Sequence, residues 1–281
     1  MSSEAETPGR LGIIAGSGPL PGLAAAAERD RGADPFMVAL HGITDPAVAE
    51  RGPHQWVALG QAQATLDALH DAGCARVILA GPVPRPSFRD LSLDSRGWRL
   101  VMRLGLAAAG DDGLLGGIAR ELEGEGFRVC GTADVLADLL VRPGRYGGPD
   151  PDDSAAVDIR RGLDVTRALG HVDVGQAVVV QDGVVLGVEA VEGTDALIAR
   201  CGPLHWPGPG GLLVKAAKPG QDTRVDLPTV GPATVDNAAA AGLRGIAVEA
   251  GGSQITDPAG LAKAADKAGI FVLGVDTTGA W

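Results

Sequence analysis

Short apolar runs alternate with helix-like segments along most of the chain, and this alternation constrains the fold more than any other feature of the sequence. LGIIAG at 11–16 is followed by the helix-like PLPGLAAAAERD, and PFMVAL at 35–40 is followed by a helical stretch over 61–72. ARVILAG at 75–81 and FRVCG at 127–131 continue the pattern, with helical sequence between them. Strands that alternate with helices predict an α/β fold, here an N-terminal Rossmann-like domain with a parallel sheet.

The C-terminal half predicts a second α/β domain with a mixed sheet. AVVVQDGVVLGVEAV at 177–191 places Asp-Gly between two Val-rich runs, which is a strong hairpin signal. LLVKA, RGIAVEA, a helix over 258–268 and GIFVLGV then return to the β-α-β pattern. The segment RPGRYGGPDPDD at 142–153 has no apolar period and predicts the boundary, so we expect domains at 1–145 and 146–281.

Charge and cysteine usage exclude several classes of protein. The chain has 24 basic and 35 acidic residues and a net charge of −11, so a nucleic-acid partner is not expected. Its three cysteines are far apart and form no metal-binding spacing, which favours a reducing compartment. The first residues are polar and no long apolar run occurs, so we expect a cytoplasmic protein whose membrane contact, if any, is peripheral.

The stretch KAAKPGQDTRVDLPTVGPAT at 215–234 is the strongest candidate site. Lys215, Lys218 and Arg224 lie within ten positions of one another, together with Asp222 and Asp226 among turn residues. A helix begins near 231, so its positive N-terminal end is expected to face the same loop. Cations, a helix dipole and carboxylates together predict a diphosphate bound with a divalent metal, although Lys218 alone reads equally as a solvated surface lysine.

The segment VEAVEGTDALIAR at 188–200 places three carboxylates, those of Glu189, Glu192 and Asp195, within seven positions. Such carboxylates repel one another unless a cation lies between them, and hard oxygen ligands suit Mg²⁺. A helix cap at Thr194 with solvated glutamates explains the same residues, and both interpretations stay open.

Two glycine- and proline-rich turns are weaker candidates. GSGPLPG at 16–22 follows a strand and opens a helix, as phosphate-binding turns do. Its third glycine comes one place late, Pro19 has no N–H, and the next strand ends in Leu40-His41 rather than in an acid, so NAD is not favoured. A plain strand-to-helix turn and a looser nucleotide-facing loop remain.

Arginines and aspartates in two further loops are ambiguous. The loop GPVPRPSFRD at 81–90 carries Arg85 and Arg89 at the carboxyl end of a strand, where ligands bind in open sheets, or they lie in a solvated loop. Asp111 and Asp112 precede a helix and are better explained as its N-cap than as metal ligands.

Seven motifs in order resemble UDP-2,3-diacylglucosamine diphosphatases of the LpxI type. The motifs are LGIIAGSGPLP, AGPVPRP, GDDGLL, DVGQAVVVQDG, VEAVEGTDALIAR, GGLLVKAAKPGQDTRVDLPTVGPATV and AGLRGIAVEAGGSQI, and the similarity as a whole runs from Leu11 to Val275. The resemblance implies Mg²⁺-dependent hydrolysis of UDP-2,3-diacylglucosamine to UMP and 2,3-diacylglucosamine 1-phosphate in lipid A biosynthesis. It further implies attack at the phosphorus next to the sugar, two α/β domains with substrate between them, and a homodimer at the inner-membrane surface.

The resemblance also implies roles for individual residues. The essential aspartate of the RxDLPT segment matches Asp226, which would hold Mg²⁺ or orient the attacking water. The implied sets are Asp226, Asp222, Lys215 and Arg224 for catalysis; Asp226, Glu192 and Asp195 for the metal; and Gly16, Ser17, Gly18, Arg85, Gln176, Thr194, Lys218, Gln221 and Thr229 for the substrate.

Two other functions compete with this interpretation. The glycine turn at 16–22 admits an NAD(P)-dependent oxidoreductase. The same charged loops also admit a non-catalytic protein that binds a nucleotide or a lipid.

Overall fold

The computed structural model describes residues 9–83, 92–97, 99 and 111–281. The chain divides into two compact units, residues 1–137 and 138–281. The division lies ahead of the segment 142–153, because residues of that segment pair with the sheet of the second unit.

The first unit is built on a parallel five-stranded sheet in the order β3-β2-β1-β4-β5. Its central strands are mostly apolar, and Ile13, Val38 and Val77 are fully buried. Strands of this kind are covered by helices on both faces, as in doubly wound folds. The strands are β1 (Arg10–Ala15), β2 (Phe36–Leu40), β3 (His54–Val57), β4 (Cys74–Ala80) and β5 (Arg128–Cys130). The predicted Rossmann-like parallel sheet is confirmed.

Helices connect the strands of the first unit. They are α1 (Leu20–Asp30), α2 (Pro46–Ala49), α3 (Ala62–Asp71), α4 (Asp111–Gly124) and α5 (Thr132–Val135). Proline stands in the first turn of α1 and of α2, where its missing N–H costs no intrahelical hydrogen bond. After β5 the chain forms α5 and then a short 3-10 turn at Ala137–Leu139.

The second unit has a mixed six-stranded sheet in the order β6-β13-β11-β9-β7-β8. Three central strands, β9, β11 and β13, are parallel, and β6, β7 and β8 are antiparallel to their neighbours. The strands are β6 (Gly144–Gly147), β7 (Ala177–Gln181), β8 (Val184–Val188), β9 (Leu212–Lys215), β11 (Gly245–Glu249) and β13 (Phe271–Val275). The predicted mixed-sheet α/β unit is confirmed.

A two-residue turn joins β7 to β8, as the Asp-Gly sequence predicts. Asp182 and Gly183 have φ of 51° and 76°, the left-handed values that a tight hairpin turn of the right twist requires. Two very short strands, β10 (Thr229–Val230) and β12 (Gln254–Ile255), form a separate parallel pair beside this sheet.

Helices cover both faces of the second sheet. They are α6 (Asp153–His171), α7 (Thr194–Cys201), α8 (Pro232–Ala240) and α9 (Pro258–Ala268). On one face, Ile159 and Leu163 of α6 pack against Val178 and Val214. On the other face, the apolar side chains of α7, α8 and α9 pack with Val179, Leu213 and Ile246. Successive residues of each strand thus face the two opposite apolar cores. The ends of the strands lie outside both cores and can carry polar residues.

Candidate functional site at the carboxyl edge of the second sheet

The candidate site lies where β9 and β11 end, at Lys215 and Glu249. The antiparallel pair brings two more polar residues to the same edge. The N–H of Ala216 donates to the carbonyl of Gln176, just before β7, and the N–H of Glu189, just after β8, donates to Ala177. Ligands of open α/β sheets bind at this edge, so the sequence collects its polar residues where a ligand is expected.

Lys215 is the central charge of the site, and its side chain is buried, with 6% of the residue exposed. Its ammonium donates to Thr194 Oγ1 at 2.9 Å and to the carbonyl oxygen of Thr229 at 3.0 Å. Both acceptors are neutral oxygens. Neither of these two hydrogen bonds therefore joins the ammonium directly to a carboxylate.

The electrostatic surroundings of Lys215 act in two directions. Burial lowers the pKa of the Lys215 ammonium, and the negative charges of Glu189, Asp226 and Asp195 oppose that shift. The lowering is the larger effect. Because burial disfavours the charged form of Lys215, an anion that binds beside the ammonium would stabilise that charge.

Glu189 and Thr194 hold the ammonium from one side. Thr194 is the first residue of α7, and it follows Gly193, whose φ of 81° favours glycine. The Thr194 hydroxyl donates to Glu189 Oε1 at 2.6 Å, and the other carboxylate oxygen accepts from the N–H of Gln176 at 3.1 Å. Glu189 is itself buried, so a carboxylate, a hydroxyl and an ammonium form a fixed chain at the sheet edge.

The loop 217–228 forms the other side of the site and carries Asp226. Gln221 Nε2 donates to Asp226 Oδ2 at 2.6 Å, while Gln221 Oε1 accepts from the N–H of Lys218 at 3.1 Å. The Gln221 side chain therefore ties the start of the loop to the Asp226 carboxylate. Asp226 is half-buried and is close enough to Lys215 for its charge to raise the pKa of that lysine.

The other two cations of the predicted diphosphate site are engaged by carboxylates. Lys218 Nζ pairs with Asp173, and Arg224 makes a two-pronged contact with Asp222, with Nε–Oδ1 at 2.9 Å and Nη2–Oδ2 at 2.8 Å. The Arg224–Asp222 pair is largely exposed. An ammonium has three N–H donors and a guanidinium five, so these ion pairs use only part of the donor capacity of the two side chains.

Each of the three predicted metal ligands accepts a hydrogen bond from a different side chain. Glu192 accepts from Arg200 at 2.8 Å, and Asp195 accepts from Asn237 at 3.0 Å, whereas Asp226 accepts from Gln221. The N–H of Glu192 and the Arg200 guanidinium lower the pKa of the Glu192 carboxyl. Within residues 9–83, 92–97, 99 and 111–281, no three His, Cys, Asp or Glu side chains are grouped as a metal site.

Two buried amide oxygens at the same edge have no hydrogen-bond partner among the described residues. They are Gln176 Oε1 and Gln254 Oε1. Gln254 also donates through Nε2 to Thr229 Oγ1 at 2.8 Å, which places it beside the carbonyl that binds Lys215. Buried acceptors usually find a donor, so these oxygens indicate where a ligand with hydroxyl or amide N–H groups fits.

Comparison with known proteins places this geometry in a family. The model of the LpxI N-terminal domain matches residues 10–139, and that of the LpxI C-terminal domain matches residues 142–273. The UDP-2,3-diacylglucosamine pyrophosphatase LpxI of Caulobacter vibrioides is 42% identical over 274 residues, which cover 95% of this chain and 98% of that protein. The chain belongs to the LpxI family. The family resemblance that the motifs predicted is therefore confirmed.

In the LpxI N-terminal domain, the donors of the glycine turn at 16–22 already form hydrogen bonds within the protein. The N–H of Gly16 donates to Ala80, and both the N–H and the hydroxyl of Ser17 donate to Pro82. A Cβ at Gly16 would lie 2.3 Å from the carbonyl oxygen of Gly81, so this glycine is needed for close packing against the loop after β4. Gly18 is exposed with φ of 79°. The N–H groups of Gly16 and Ser17, which a phosphate-binding turn would direct at its ligand, are thus hydrogen-bonded to the end of β4 and to the loop after it.

Other predicted residues lie outside what the structure describes. Arg85 and Arg89 fall in the stretch 84–91, and the side chains of Asp111 and Asp112, at the start of α4, are also outside the described set. No helix among the described residues is long and apolar enough to cross a membrane.

Two carboxylates at the candidate site of the LpxI C-terminal domain are absent from the residue sets that the resemblance implied. Glu249 ends β11 and accepts from the N–H of Ala217 at 3.0 Å, so it anchors the start of the loop that carries Asp226. Glu189 was considered with Glu192 and Asp195 as a ligand of Mg²⁺, but it was not included in the implied metal set. Each is an acid directly at the end of an apolar strand, and that position was the available signal.

Proposed function

We propose that this chain hydrolyses the diphosphate of UDP-2,3-diacylglucosamine, with Mg²⁺, to UMP and 2,3-diacylglucosamine 1-phosphate. The observation that carries the proposal is the buried Lys215 ammonium, fixed between Thr194 and Thr229 at the ligand-binding edge of the sheet. The Caulobacter relative, named for this substrate, supports the same reaction in a chain that aligns over nearly its whole length.

The chemistry needs charge neutralisation and a positioned water. A diphosphate anion brings negative charge to the site, and Lys215 supplies a compensating charge that needs no rearrangement because its position is already fixed. The oxygen of water forms a bond to phosphorus while the anhydride P–O bond breaks, and the departing phosphate takes the electron pair. Asp226, held by Gln221, would orient the water and accept its hydrogen bond.

The carboxylates of the loop 217–228 are suitable ligands for Mg²⁺, although no group of three ligating side chains is found among the described residues. This ion is usually held by one or two carboxylates together with substrate phosphate oxygens, so three clustered acids are not required. Asp226 is the carboxylate we assign to it, with Asp222 in the same loop as the second candidate; the Asp226 N–H donates to the Asp222 carbonyl at 3.3 Å. When bound, Mg²⁺ would neutralise phosphate charge and polarise the P–O bonds.

Buried acceptors and exposed apolar side chains suit the rest of this substrate. The oxygens of Gln176 and Gln254 would accept from sugar hydroxyl or amide N–H groups. Val172, Val174 and Val191 are exposed in segments that adjoin the site, at 68%, 44% and 91%. Acyl chains, or a membrane surface that presents them, would cover such side chains. A homodimer, implied by the family resemblance, belongs to the proposal and is tested by light scattering.

The decisive experiment is mass spectrometry of products after incubation of the full chain with UDP-2,3-diacylglucosamine and Mg²⁺. We expect UMP and the lipid phosphate with Mg²⁺ and neither after chelation. Substrate that is bound but unchanged would instead indicate a binding protein, and fluorescence enhancement of added NADH would indicate an oxidoreductase. In isotopically labelled water, label in the lipid phosphate rather than in UMP would support attack at the phosphorus next to the sugar.

A further inference from the structure

Glu189 is a buried carboxylate in the second unit that lies one hydroxyl group away from the Lys215 ammonium. Only 6% of the residue is exposed. Its Oε1 accepts from the Thr194 hydroxyl at 2.6 Å, and the oxygen of that hydroxyl accepts from Lys215 Nζ at 2.9 Å. A buried carboxylate is costly unless it is paired or hydrogen-bonded, so its place in this chain of contacts calls for a role.

The segment 175–177 fixes the Glu189 carboxylate in position. The N–H of Glu189 donates to the carbonyl of Ala177 at 2.8 Å, and Glu189 Oε2 accepts from the N–H of Gln176 at 3.1 Å. A Cβ at Gly175 would lie 2.1 Å from the carbonyl oxygen of Glu189, so the two segments are in close contact there. Backbone and side chain of Glu189 are therefore both held before any ligand binds.

The single hydrogen of the Thr194 hydroxyl sets the direction of the next contact. Because this hydrogen is donated to Glu189, the oxygen meets Lys215 as an acceptor. A hydrogen bond to a carboxylate is charge-assisted, and it polarises the hydroxyl oxygen so that the bond from the ammonium is strengthened. Glu189 thus orients the ammonium without contacting it.

Lys215 keeps one N–H for a ligand. An ammonium has three donors, and in the part of the chain that the structure describes, two of them are used, by Thr194 and by the carbonyl of Thr229. A carboxylate in direct contact would take the third donor and compete with an anionic ligand. With Thr194 between the two charges, Glu189 supplies negative charge and leaves that donor open.

Glu189 is one of several charged groups on the elements around Lys215. The others are Asp173 before β7, Asp195 and Arg200 on α7, Lys218 and Asp226 in the loop 217–228, Asp236 on α8 and Glu249 at the end of β11. Burial lowers the pKa of Lys215, and among the carboxylates that oppose this shift Glu189 has the largest effect, ahead of Asp226 and Asp195. The hydrogen-bonded chain and the electrostatics therefore indicate the same partner.

We propose that Glu189 is a positioning residue of the hydrolysis, which acts on the substrate through the Thr194 hydroxyl and the Lys215 ammonium. The inference rests on the proposed function, since it assigns the oriented ammonium to the diphosphate of the substrate. Glu189 contacts Thr194 rather than the reacting atoms, so its removal should matter only while Lys215 is present.

The first test is an NMR titration of the full chain labelled with ¹³C at the lysine Cε atoms, and it needs no substrate. The lysines of the chain are Lys215, Lys218, Lys263 and Lys267, so the spectrum is simple, and Lys215→Met identifies the Lys215 signal. We expect Glu189→Gln, which keeps the size of the side chain and an acceptor for Thr194, to lower the Lys215 titration midpoint by about one pH unit or more. Asp164→Asn is the control, because it removes an exposed carboxylate of α6 and should leave the midpoint unchanged.

The second test is a double-mutant cycle on the hydrolysis. Glu189→Gln should lower kcat/KM by about fivefold or more in the otherwise unchanged chain, and by less than about twofold when Lys215→Met is already present. Thr194→Val removes the hydroxyl at nearly constant size and should show the same pattern, whereas Thr194→Ser should keep most of the activity. If thermal melting shows Glu189→Gln to be unfolded, Thr194→Val takes its place in both tests.

Two results would overturn the assignment. One is an unchanged Lys215 midpoint in folded Glu189→Gln protein. The other is an equal loss of kcat/KM with and without Lys215→Met, which a purely structural role of Glu189 predicts.

The two tests also separate this inference from the proposed function. If the wild-type chain releases no UMP, the proposed function fails, while a lowered midpoint in Glu189→Gln still shows that Glu189 controls the Lys215 charge. If the wild-type chain releases UMP but neither the midpoint nor the cycle responds to Glu189→Gln, the function stands and the positioning role fails.

Discussion

The two edges of the second sheet use buried charge in opposite ways. At the amino edge, the Arg244 guanidinium, just before β11, contacts Asp158 at 2.5 Å and Asp152 at 2.9 Å. Asp158 is fully buried and also accepts from the N–H groups of Asp182 and Gly183 in the hairpin turn. At the carboxyl edge, Lys215 is bound by a hydroxyl and a carbonyl oxygen, with carboxylates at longer range.

We interpret the charges at the amino edge as a structural ion-pair network and the Lys215 charge at the carboxyl edge as part of the candidate binding site. At the amino edge the Arg244 guanidinium is paired directly with the carboxylates of Asp152 and Asp158, and these contacts join α6, the hairpin turn and β11 into one unit, although Arg244 Nε has no hydrogen-bond partner among the described residues. The Lys215 charge is buried at a cost and is only partly compensated, so an anion can improve its surroundings. Removing a charge from the amino edge should therefore reduce stability, whereas removing one from the carboxyl edge should reduce activity.

The largest effect is expected for Asp158→Ala at the amino edge. The substitution leaves the buried Arg244 with one carboxylate fewer and two turn N–H groups without their acceptor. We expect a loss of about 3–5 kcal/mol in the free energy of unfolding, measured by urea denaturation. Asp164→Ala is the control, since Asp164 lies on the same helix with an exposed side chain. Equal stability of the two variants would contradict a structural role, as would lost activity per folded molecule in Asp158→Ala.

Asp226→Ala tests the carboxyl edge. Asp226 is the carboxylate that we propose to orient the water and hold Mg²⁺, so its loss should lower kcat by about a hundredfold or more, which is about 3 kcal/mol or more in activation free energy. UMP release with Mg²⁺ supplied is the measurement, and the melting temperature should hardly change. Asp182→Asn removes a carboxylate at the opposite edge and should leave kcat unaltered. Full activity in Asp226→Ala would end the assignment.

Lys215→Met removes the central ammonium while keeping a long side chain. Because burial lowers the pKa of Lys215 overall, folding works against its charge, and the variant should lose no more than about 1 kcal/mol of stability. Its kcat/KM should nevertheless fall by about tenfold or more, since the diphosphate loses a preplaced cation. Lys263→Met, on the exposed side of α9, serves as the control. A variant that loses several kcal/mol yet keeps its activity would reverse the contrast between the edges.

Local sequence predicted the elements whose determinants are local. The Asp182-Gly183 turn needs positive φ at both residues, and the sequence supplies the types that tolerate it. Helix α9 was predicted with its observed bounds because proline begins it and Gly269 ends it in the left-handed region. Strand β6, with sequence GRYG, and the two-residue strands β10 and β12 were missed, since so few residues carry no apolar period.

For the candidate site, too, the sequence indicated only those features that depend on neighbouring residues. The stretch 215–234 was identified from its composition alone, and the structure places Lys215 and Asp226 near each other. The partners of its other charges were not predictable, because Lys218 pairs with Asp173 and Asp195 with Asn237 across about 40 residues of chain. Such pairs depend on how strands and helices pack, which local periodicity does not encode.

The smallest expected effect is a pH dependence at the amino edge, through Asp152. This residue is the N-cap of α6, and hydrogen bonds from the Ser154 hydroxyl and the Ala155 N–H, with the Arg244 charge, lower the pKa of its carboxyl below 3.8. A lowered pKa contributes stability that is present above the unfolded value and is lost as the pH falls through the folded one. Asp152→Asn keeps a capping side chain but removes the charge. Because the side chain is 54% exposed, we expect the variant to be less stable by only about 0.5 kcal/mol at neutral pH. Urea denaturation over a range of pH should show this difference shrinking towards zero below pH 3.8, and a difference that stays constant into acid would mean that the cap geometry, not the charge, is what Asp152 supplies.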